Sequence, residues 1–237
     1  MSDAPLVSII LATYNEQENI LDMLDSIFEH VRQPVEVIVV DDDSPDGTWK
    51  IVQDLADPRV TVIRRQNVRG LASAINRGII ESRGDVIGWM DADMSMNPAY
   101  LRDMIPLLEE HDVVIGSRYV EGGADIRPRF RVVTSFLVNR FAHLLLGKGI
   151  HDYDSGFIVM RRSVLDSVTL LPYGYGAYFI ELIYHCKRKG LSVHEFPYHF
   201  VDRVKGTSKS APSIFSFLVT GLEYGFRIIV TRVRRFD

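Results

Sequence analysis

The sequence predicts an α/β fold, a mostly parallel Rossmann-like sheet with helices on both faces. Two observations point to it. Short apolar runs of strand length alternate with stretches of helical periodicity, and those runs are continuously apolar, as strands buried on both faces are. A third observation marks a working edge. Three of the first four strand candidates stop at acids, which places Glu16, the Asp41-Asp42-Asp43 cluster and the Asp91/Asp93 pair where open α/β sheets bind ligands.

Leu6 to Leu11 is the first strand, and Ala12-Thr13-Tyr14-Asn15-Glu16 ends it in polar groups. Asn15 and Glu18 have capping-box spacing, and Ile20, Leu24, Ile27, Phe28 and Val31 follow on one helical face. The second strand, Val35 to Val40, runs into Asp41-Asp42-Asp43-Ser44 and the turn Pro45-Asp46-Gly47, after which Thr48 can cap a helix. Val60 to Ile63 is the third strand, Leu71 to Ile80 the third helix, and Val86 to Met90 the fourth strand. Asn97-Pro98 starts a fourth helix that carries Leu101, Met104 and Leu108 inward. Asp112 to Ile115 then delivers Gly116-Ser117-Arg118-Tyr119 to the same edge. A loop with Arg127, Arg129 and Arg131 leads to a helix over Val132 to Leu146, a strand over Phe157 to Met160 and a helix over Tyr178 to Lys189. A partly exposed strand, Leu191 to Val201, ends in a basic loop, Asp202 to Lys209. The predicted division is a catalytic domain over residues 1–210 and a C-terminal amphipathic helix within residues 211–237.

A chain of 237 residues with 46% hydrophobic composition can bury one large core. Its net charge of −4 gives no reason to expect nucleic acid as a partner. Cys186 has no second cysteine to pair with and is expected as a packed side chain. Met1 to Pro5 shows no secretory pattern, so the folded body is expected in the cytoplasm. Pro212 to Val233 is apolar but interrupted by Glu223 and Arg227, and arginines follow it. Such a helix either lies on the inner, anionic face of a membrane or packs against protein. No Gly-x-Gly-x-x-Gly follows the first strand and no Gly-Lys-Ser/Thr loop occurs, which disfavours dinucleotide dehydrogenases and P-loop NTPases.

Asp91 and Asp93 lie two apart at a strand end, so on an extended chain they point the same way. Mg²⁺ or Mn²⁺ held by two carboxylates completes its shell with water and substrate phosphate, which implies a phosphorylated substrate. Arg118 at a strand end has the planar fork that suits a diphosphate. Arg203, Lys205, Ser208 and Lys209 gather anion-binding groups in one loop. Glu181 is either a buried acid with a raised pKa or an exposed helix-start acid. His151, Asp152 and Asp154 are expected as a polar binding loop rather than a second metal site.

Taken in order, Thr13-Tyr14-Asn15-Glu16, Asp41 to Thr48, Asp91-Ala92-Asp93, Gly116-Ser117-Arg118-Tyr119, Ser155-Gly156-Phe157, and Phe200 to Arg203 with Gly206-Thr207-Ser208-Lys209 resemble family-2 glycosyltransferases. Within that family they resemble the polyprenyl-phosphate (dolichol-phosphate) mannosyltransferases. The resemblance implies a GT-A fold, an inverting mechanism, a nucleotide-sugar donor with GDP-mannose preferred, Mg²⁺ or Mn²⁺, and a polyprenyl phosphate acceptor. It implies donor contacts at Tyr14, Glu16, Asp41, Asp42, Asp91, Ala92 and Arg131, and metal ligation by Asp91, Asp93 and Ser95. Catalytic roles fall on Asp93, Arg118, Arg203 and Lys209, with Arg118 at the diphosphate and Arg203 and Lys209 at the acceptor and donor phosphates. The sequence departs from the family pattern at Ala12 (usually proline), Asp43 (glycine), Asp154 (threonine) and Phe179 (glutamine). Asp43 either strains a turn that favours glycine or adds an acid near the donor.

A phosphate acceptor has a second pKa near ~6 and is mostly dianionic at neutral pH, so it needs little help from a base. A sugar hydroxyl acceptor, with a UDP-sugar donor as a further variant, would need one, and Asp152, Asp154 and Glu181 are the candidates. A different class is a non-catalytic nucleotide-sugar sensor or scaffold that recruits a separate membrane subunit through the C-terminal helix.

Overall fold

A computed structural model describes residues 4–147, 149–173, 176–203, 205 and 214–234. The first half of the chain repeats strand and helix: β1 (Val7–Thr13), α1 (Ile20–His30), β2 (Val35–Asp41), α2 (Thr48–Leu55), β3 (Val60–Arg64), α3 (Leu71–Glu81) and β4 (Val86–Trp89). The second half is less regular: α4 (Leu101–Met104), β5 (Val113–Ser117), β6 (Ala124–Asp125), α5 (Arg129–Leu146), β7 (Ile158–Arg161), α6 (Ala177–Arg188), β8 (Val193–Pro197), β9 (His199–Phe200) and α7 (Ile214–Val233). Seven strands form one sheet in the order β3-β2-β1-β4-β7-β5-β8. All neighbours are parallel except β7, which runs antiparallel to both β4 and β5. A separate two-stranded parallel ribbon joins β6 to β9.

Both sheet faces are covered, which explains the unbroken apolar runs. Successive side chains on a strand point to opposite faces. On β1, Ile10 joins a core with Ile38, Val40, Ile75 and Trp89, and with Phe179 and Ile183 of α6. Its neighbours Ile9 and Leu11 join the opposite core with Met23, Leu24 and Ile27 of α1 and Met104 of α4. The helix α7 lies against α5 and α6.

Several local expectations are corrected. The capping box at Asn15 does not form: α1 begins at Ile20 after Asn19, and Asn15 has a left-handed φ of 56°. The cause is tertiary. The backbone N–H of Asn15 donates to Ser44 Oγ (2.9 Å) and that of Glu16 to Thr48 Oγ1 (2.9 Å), so this stretch is hung on the β2–α2 loop. Thr48 is the first helical residue, with Gly47 in the cap position. The single helix expected after Asn97 is three short turns, Pro98–Tyr100, Leu101–Met104 and Pro106–Glu109, because Pro106 interrupts the backbone hydrogen bonding. The strand expected over Leu191 to Val201 divides into β8 and β9, and the second piece turns away to pair with β6.

Candidate functional site

The sheet order changes direction between β1 and β4, and a cleft of about 360 Å³ opens there at the carboxyl ends of the strands. It is lined by Ala12, Thr13, Tyr14 and Glu16 after β1, by Asp42 after β2, and by Asp91, Ala92 and Asp93 after β4. Arg69, Gly70, Leu71 and Ala74 close it from the start of α3, and Arg203 reaches in from beyond β9.

Three neighbouring aspartates have three different fates. Asp41 is fully buried and accepts hydrogen bonds from Thr13 Oγ1 (2.7 Å), Ser44 N (2.8 Å) and Ser44 Oγ (2.6 Å). It fastens the ends of β1 and β2, one residue before the cleft-lining Asp42. Asp42 does face the cleft, with one oxygen accepting from Arg65 Nε (2.7 Å) and the other from Gly70 N (2.8 Å). Asp43 adopts a left-handed φ of 55°, the conformation a glycine would take, and pairs with Arg64 outside the cleft lining. Opposite Asp42, the Arg69 guanidinium lies 4.3 Å from the ring centre of Tyr14.

At the end of β4 the acids gather around one arginine. Asp93 Oδ1 accepts from Ser95 N (3.1 Å) and Ser95 Oγ (2.5 Å), and Oδ2 accepts from Arg203 Nη2 (2.7 Å). Arg203 Nη1 lies 3.6 Å from Glu16 Oε1. Ser95 thus positions Asp93, which lies on the cleft lining. Asp91 lines the cleft, and burial, then the charges of Asp93 and Glu16, push its carboxyl up to about 7 against the opposing pull of Arg203 and Arg127. Among the described residues no group of three or more His, Cys, Asp or Glu side chains is arranged to hold a metal. The cleft offers two adjacent carboxylates, a donor set that suits a Mg²⁺ or Mn²⁺ ion shared with substrate phosphate.

Arg118 stands in a buried ion pair. Its side chain is 2% exposed and grips Asp152 with both arms of its fork, Nε to Oδ2 at 2.8 Å and Nη2 to Oδ1 at 2.7 Å. Nη2 also donates to the Asp154 carbonyl (3.0 Å), and Asp125 stands 3.6 Å from Nη1. A buried guanidinium must be compensated, and the Asp152 carboxylate does so through both arms of the fork. Arg131, on the first turn of α5, pairs with Asp202 at 3.2 Å and also lies outside the cleft lining. Lys209 and Ser208 lie outside the described residues.

The candidate bases for a hydroxyl acceptor are not in the cleft either. Asp152 is tied to Arg118; Asp154 is pushed up to about 6 by burial, with Arg118 opposing. For Glu181, burial raises the carboxyl, but bonds from His185 and Arg234 outweigh it and hold it low. Phe179 is a core residue. Sequence reasoning missed Arg65, Arg69 and Gly70; the available signal was the polar Arg69-Gly70 step at the start of a helix, on the edge that carries the acids.

Residues 8–169, more than half of the chain, match the family described as Glycosyl transferase family 2. The chain belongs to that family. This family-2 chain is 40% identical over 221 residues to a dolichol-phosphate mannosyltransferase of Pyrococcus furiosus, covering 90% of this chain and 61% of that one. It therefore spans less than two thirds of that relative's length. It is 37% identical over 238 residues to a polyprenol monophosphomannose synthase of Mycolicibacterium smegmatis, covering 95% and 89% of the two chains. It is 33% identical over 217 residues to an undecaprenyl-phosphate mannosyltransferase of Micrococcus luteus, covering 88% of each. Among solved structures, glucosyl-3-phosphoglycerate synthase of Mycobacterium tuberculosis, in complex with Mn²⁺, UDP and glucosyl-3-phosphoglycerate, matches with a TM-score of 0.74 at 18% identity, covering 98% of this chain and 82% of that one. The shared architecture is the GT-A fold.

Replacing Asp152 by alanine leaves the Arg118 guanidinium buried and uncompensated, and is expected to destabilise the family-2 domain by about 3–5 kcal/mol in urea unfolding. An unchanged unfolding midpoint in Asp152→Ala, with weakened donor binding in Arg118→Ala, would return Arg118 to the diphosphate.

Proposed function

We propose that this protein is an inverting glycosyltransferase that moves mannose from GDP-mannose onto a polyprenyl phosphate. The observation that carries the reading is the meeting, in one cleft, of the Asp91/Asp93 carboxylate pair with the Arg203 guanidinium. The first suits a cation-bound diphosphate and the second an attacking phosphate. The mannosyltransferase relatives support the choice of sugar and acceptor.

In the reaction, an oxygen of the acceptor phosphate attacks the anomeric carbon of the sugar. The bond from that carbon to the nucleoside diphosphate breaks, the diphosphate leaves with the electron pair, and the anomeric configuration inverts. The attacking phosphate is already mostly dianionic near neutral pH, its second pKa being ~6, so the site has to align and neutralise rather than abstract a proton. Asp91 and Asp93 would hold Mg²⁺ or Mn²⁺, which when bound neutralises charge on the leaving diphosphate. Tyr14, Arg69, Asp42 and Glu16 form the wall that faces the nucleoside, and Ala92 lets the donor approach the backbone between the two acids. Arg203 orients the acceptor phosphate. Lys209 keeps its phosphate role, and Arg131 its contact with the donor diphosphate, on resemblance alone. The hydroxyl-acceptor alternative is disfavoured because Asp152, Asp154 and Glu181 stand outside the cleft lining.

A membrane-borne acceptor also calls for a surface that meets lipid. Phe130, Val133, Phe136, Leu137 and Leu144 of α5 are 54–79% exposed, and their spacing puts them on one side of the helix with the exposed Arg129 and Arg140. Phe226, Ile229 and Val233 of α7, with Arg232, form a similar stripe. Among the described residues no helix is long and apolar enough to cross a membrane. The two stripes support peripheral docking on an anionic, inward-facing leaflet.

Purified protein incubated with Mn²⁺, a panel of GDP- and UDP-sugars and a short polyprenyl phosphate should form lipid-linked mannose from GDP-mannose. Product only from a UDP-sugar would keep the chemistry and change the donor, whereas donor binding without product would favour the sensor class. In cation-free protein the raised Asp91 carboxyl costs stability progressively as pH climbs from about 4, its unfolded value, to about 7. The rise in Tm produced by Mn²⁺ should therefore grow across that window and flatten in Asp91→Asn; a pH-independent rise would remove Asp91 from the cation site. Changing Phe136 and Leu137 together to serine should weaken sedimentation with anionic vesicles at least severalfold at unchanged Tm, and equal sedimentation would assign the stripe to protein packing.

A further inference from the structure

Resting on the reading that Asp91 and Asp93 take a divalent cation with the donor, we propose that Arg203 is the resident counterion of the donor pocket. It holds Asp93 until a cation takes over Oδ2, and the guanidinium thus released becomes the binding group for the anionic acceptor. Arg203 then does not merely sit at two subsites but couples them, making the acceptor site depend on donor loading.

The contrast with Arg118 carries the inference. Arg118 is 2% exposed, bidentate on one carboxylate and further fixed by a carbonyl, the arrangement of a permanent structural pair. Arg203 has a side chain 13% exposed and is divided between two acids, one hydrogen bond to Asp93 at 2.7 Å and a looser 3.6 Å approach to Glu16. Its Nη1 makes no hydrogen bond among the described residues. The geometry is that of a charge held by charges, without the parallel fork that would lock it.

Asp93 has little to spare for a second cation. Ser95 supplies two donors to Oδ1, leaving Oδ2 as the oxygen that Arg203 and an incoming ion both require. An ion on that oxygen would compete with the guanidinium for it, and like charges brought together in a part-buried cleft repel. Arg203 has a way out that leaves the backbone in place. The N–H of Val201 donates to the Ser95 carbonyl at 3.2 Å, tying the segment before Arg203 to the turn that carries Asp93, so only the long side chain has to swing. While Arg203 remains on Asp93 and Glu16, its charge is already answered and an acceptor phosphate would meet the acids as well.

The test follows the guanidinium directly. The full chain labelled with ¹⁵N-arginine is titrated with Mg²⁺ and GDP, and Arg203→Lys identifies the Arg203 resonance by its loss. The Arg203 signal should move and average on saturation, and a short polyprenyl phosphate should bind at least tenfold tighter to the Mg²⁺–GDP form than to the free protein. In Arg203→Gln, Mn²⁺ alone should bind severalfold tighter by electron paramagnetic resonance, and the tenfold gain for the acceptor should vanish. Mg²⁺ binding that Asp93→Asn abolishes, with the Arg203 resonance unmoved, would overturn this inference alone. Absence of Asp93-dependent Mg²⁺ binding in the wild-type chain would overturn the donor-cation reading and this inference with it.

Discussion

The cleft depends on a buried clasp between two strand ends. Thr13 and Asp41 face each other in the parallel register of β1 and β2, and the Asp41 carboxylate takes the Thr13 hydroxyl together with two donors from Ser44. A fully buried carboxylate has to be answered by donors in this way or its charge would be too costly to keep inside. Once the clasp is made, Ser44 and Thr48 are in place to receive the backbone of Asn15 and Glu16, and Tyr14 and Glu16 are turned into the cleft. Asp42, one residue beyond the clasp, emerges on the open side, where Arg65 and Gly70 fix it. The cleft wall of Tyr14, Glu16 and Asp42 thus follows from one satisfied buried acid.

Much of this was legible in the sequence, and the illegible parts have physical reasons. Continuous apolar runs revealed the two-faced sheet because Ile9 and Ile10, adjacent in sequence, serve opposite cores. The direction of β7 was not legible, since a four-residue run buried on both faces reads the same in either direction. Nor could composition separate Asp41 from Asp42 and Asp43. Whether an acid is a fastener, a wall or a turn depends on which donors the neighbouring loop brings, and those come from Thr13, Gly70 and Arg64, far apart in sequence. The two-residue strand β6 lies below any periodicity.

The same limit applies to arginine. Arg118 and Arg203 both follow strands and both read as phosphate ligands in the sequence, yet one is held in a buried ion pair and the other lines the cleft. What separates them is the supply of carboxylates. Asp152 is itself held on the loop by backbone bonds to Glu195, and it is delivered to Arg118 because β7 is antiparallel and brings its amino end to the ligand edge. The reversed strand therefore does more than fill the sheet. It delivers the carboxylate that compensates the buried Arg118.

If the apolar stripe of α5 docks on lipid as proposed, it changes the unit in which a substrate is counted. Phe130, Phe136 and Leu137 project from a helix that begins only a few residues beyond the ribbon of β6 and β9, and Arg203 follows β9. A protein resting on lipid through that helix would meet a bilayer-borne acceptor by lateral diffusion in two dimensions. Its rate would then respond to the mole fraction of acceptor in the leaflet and fall on dilution with inert lipid, even though the amount of acceptor per volume of suspension stayed the same.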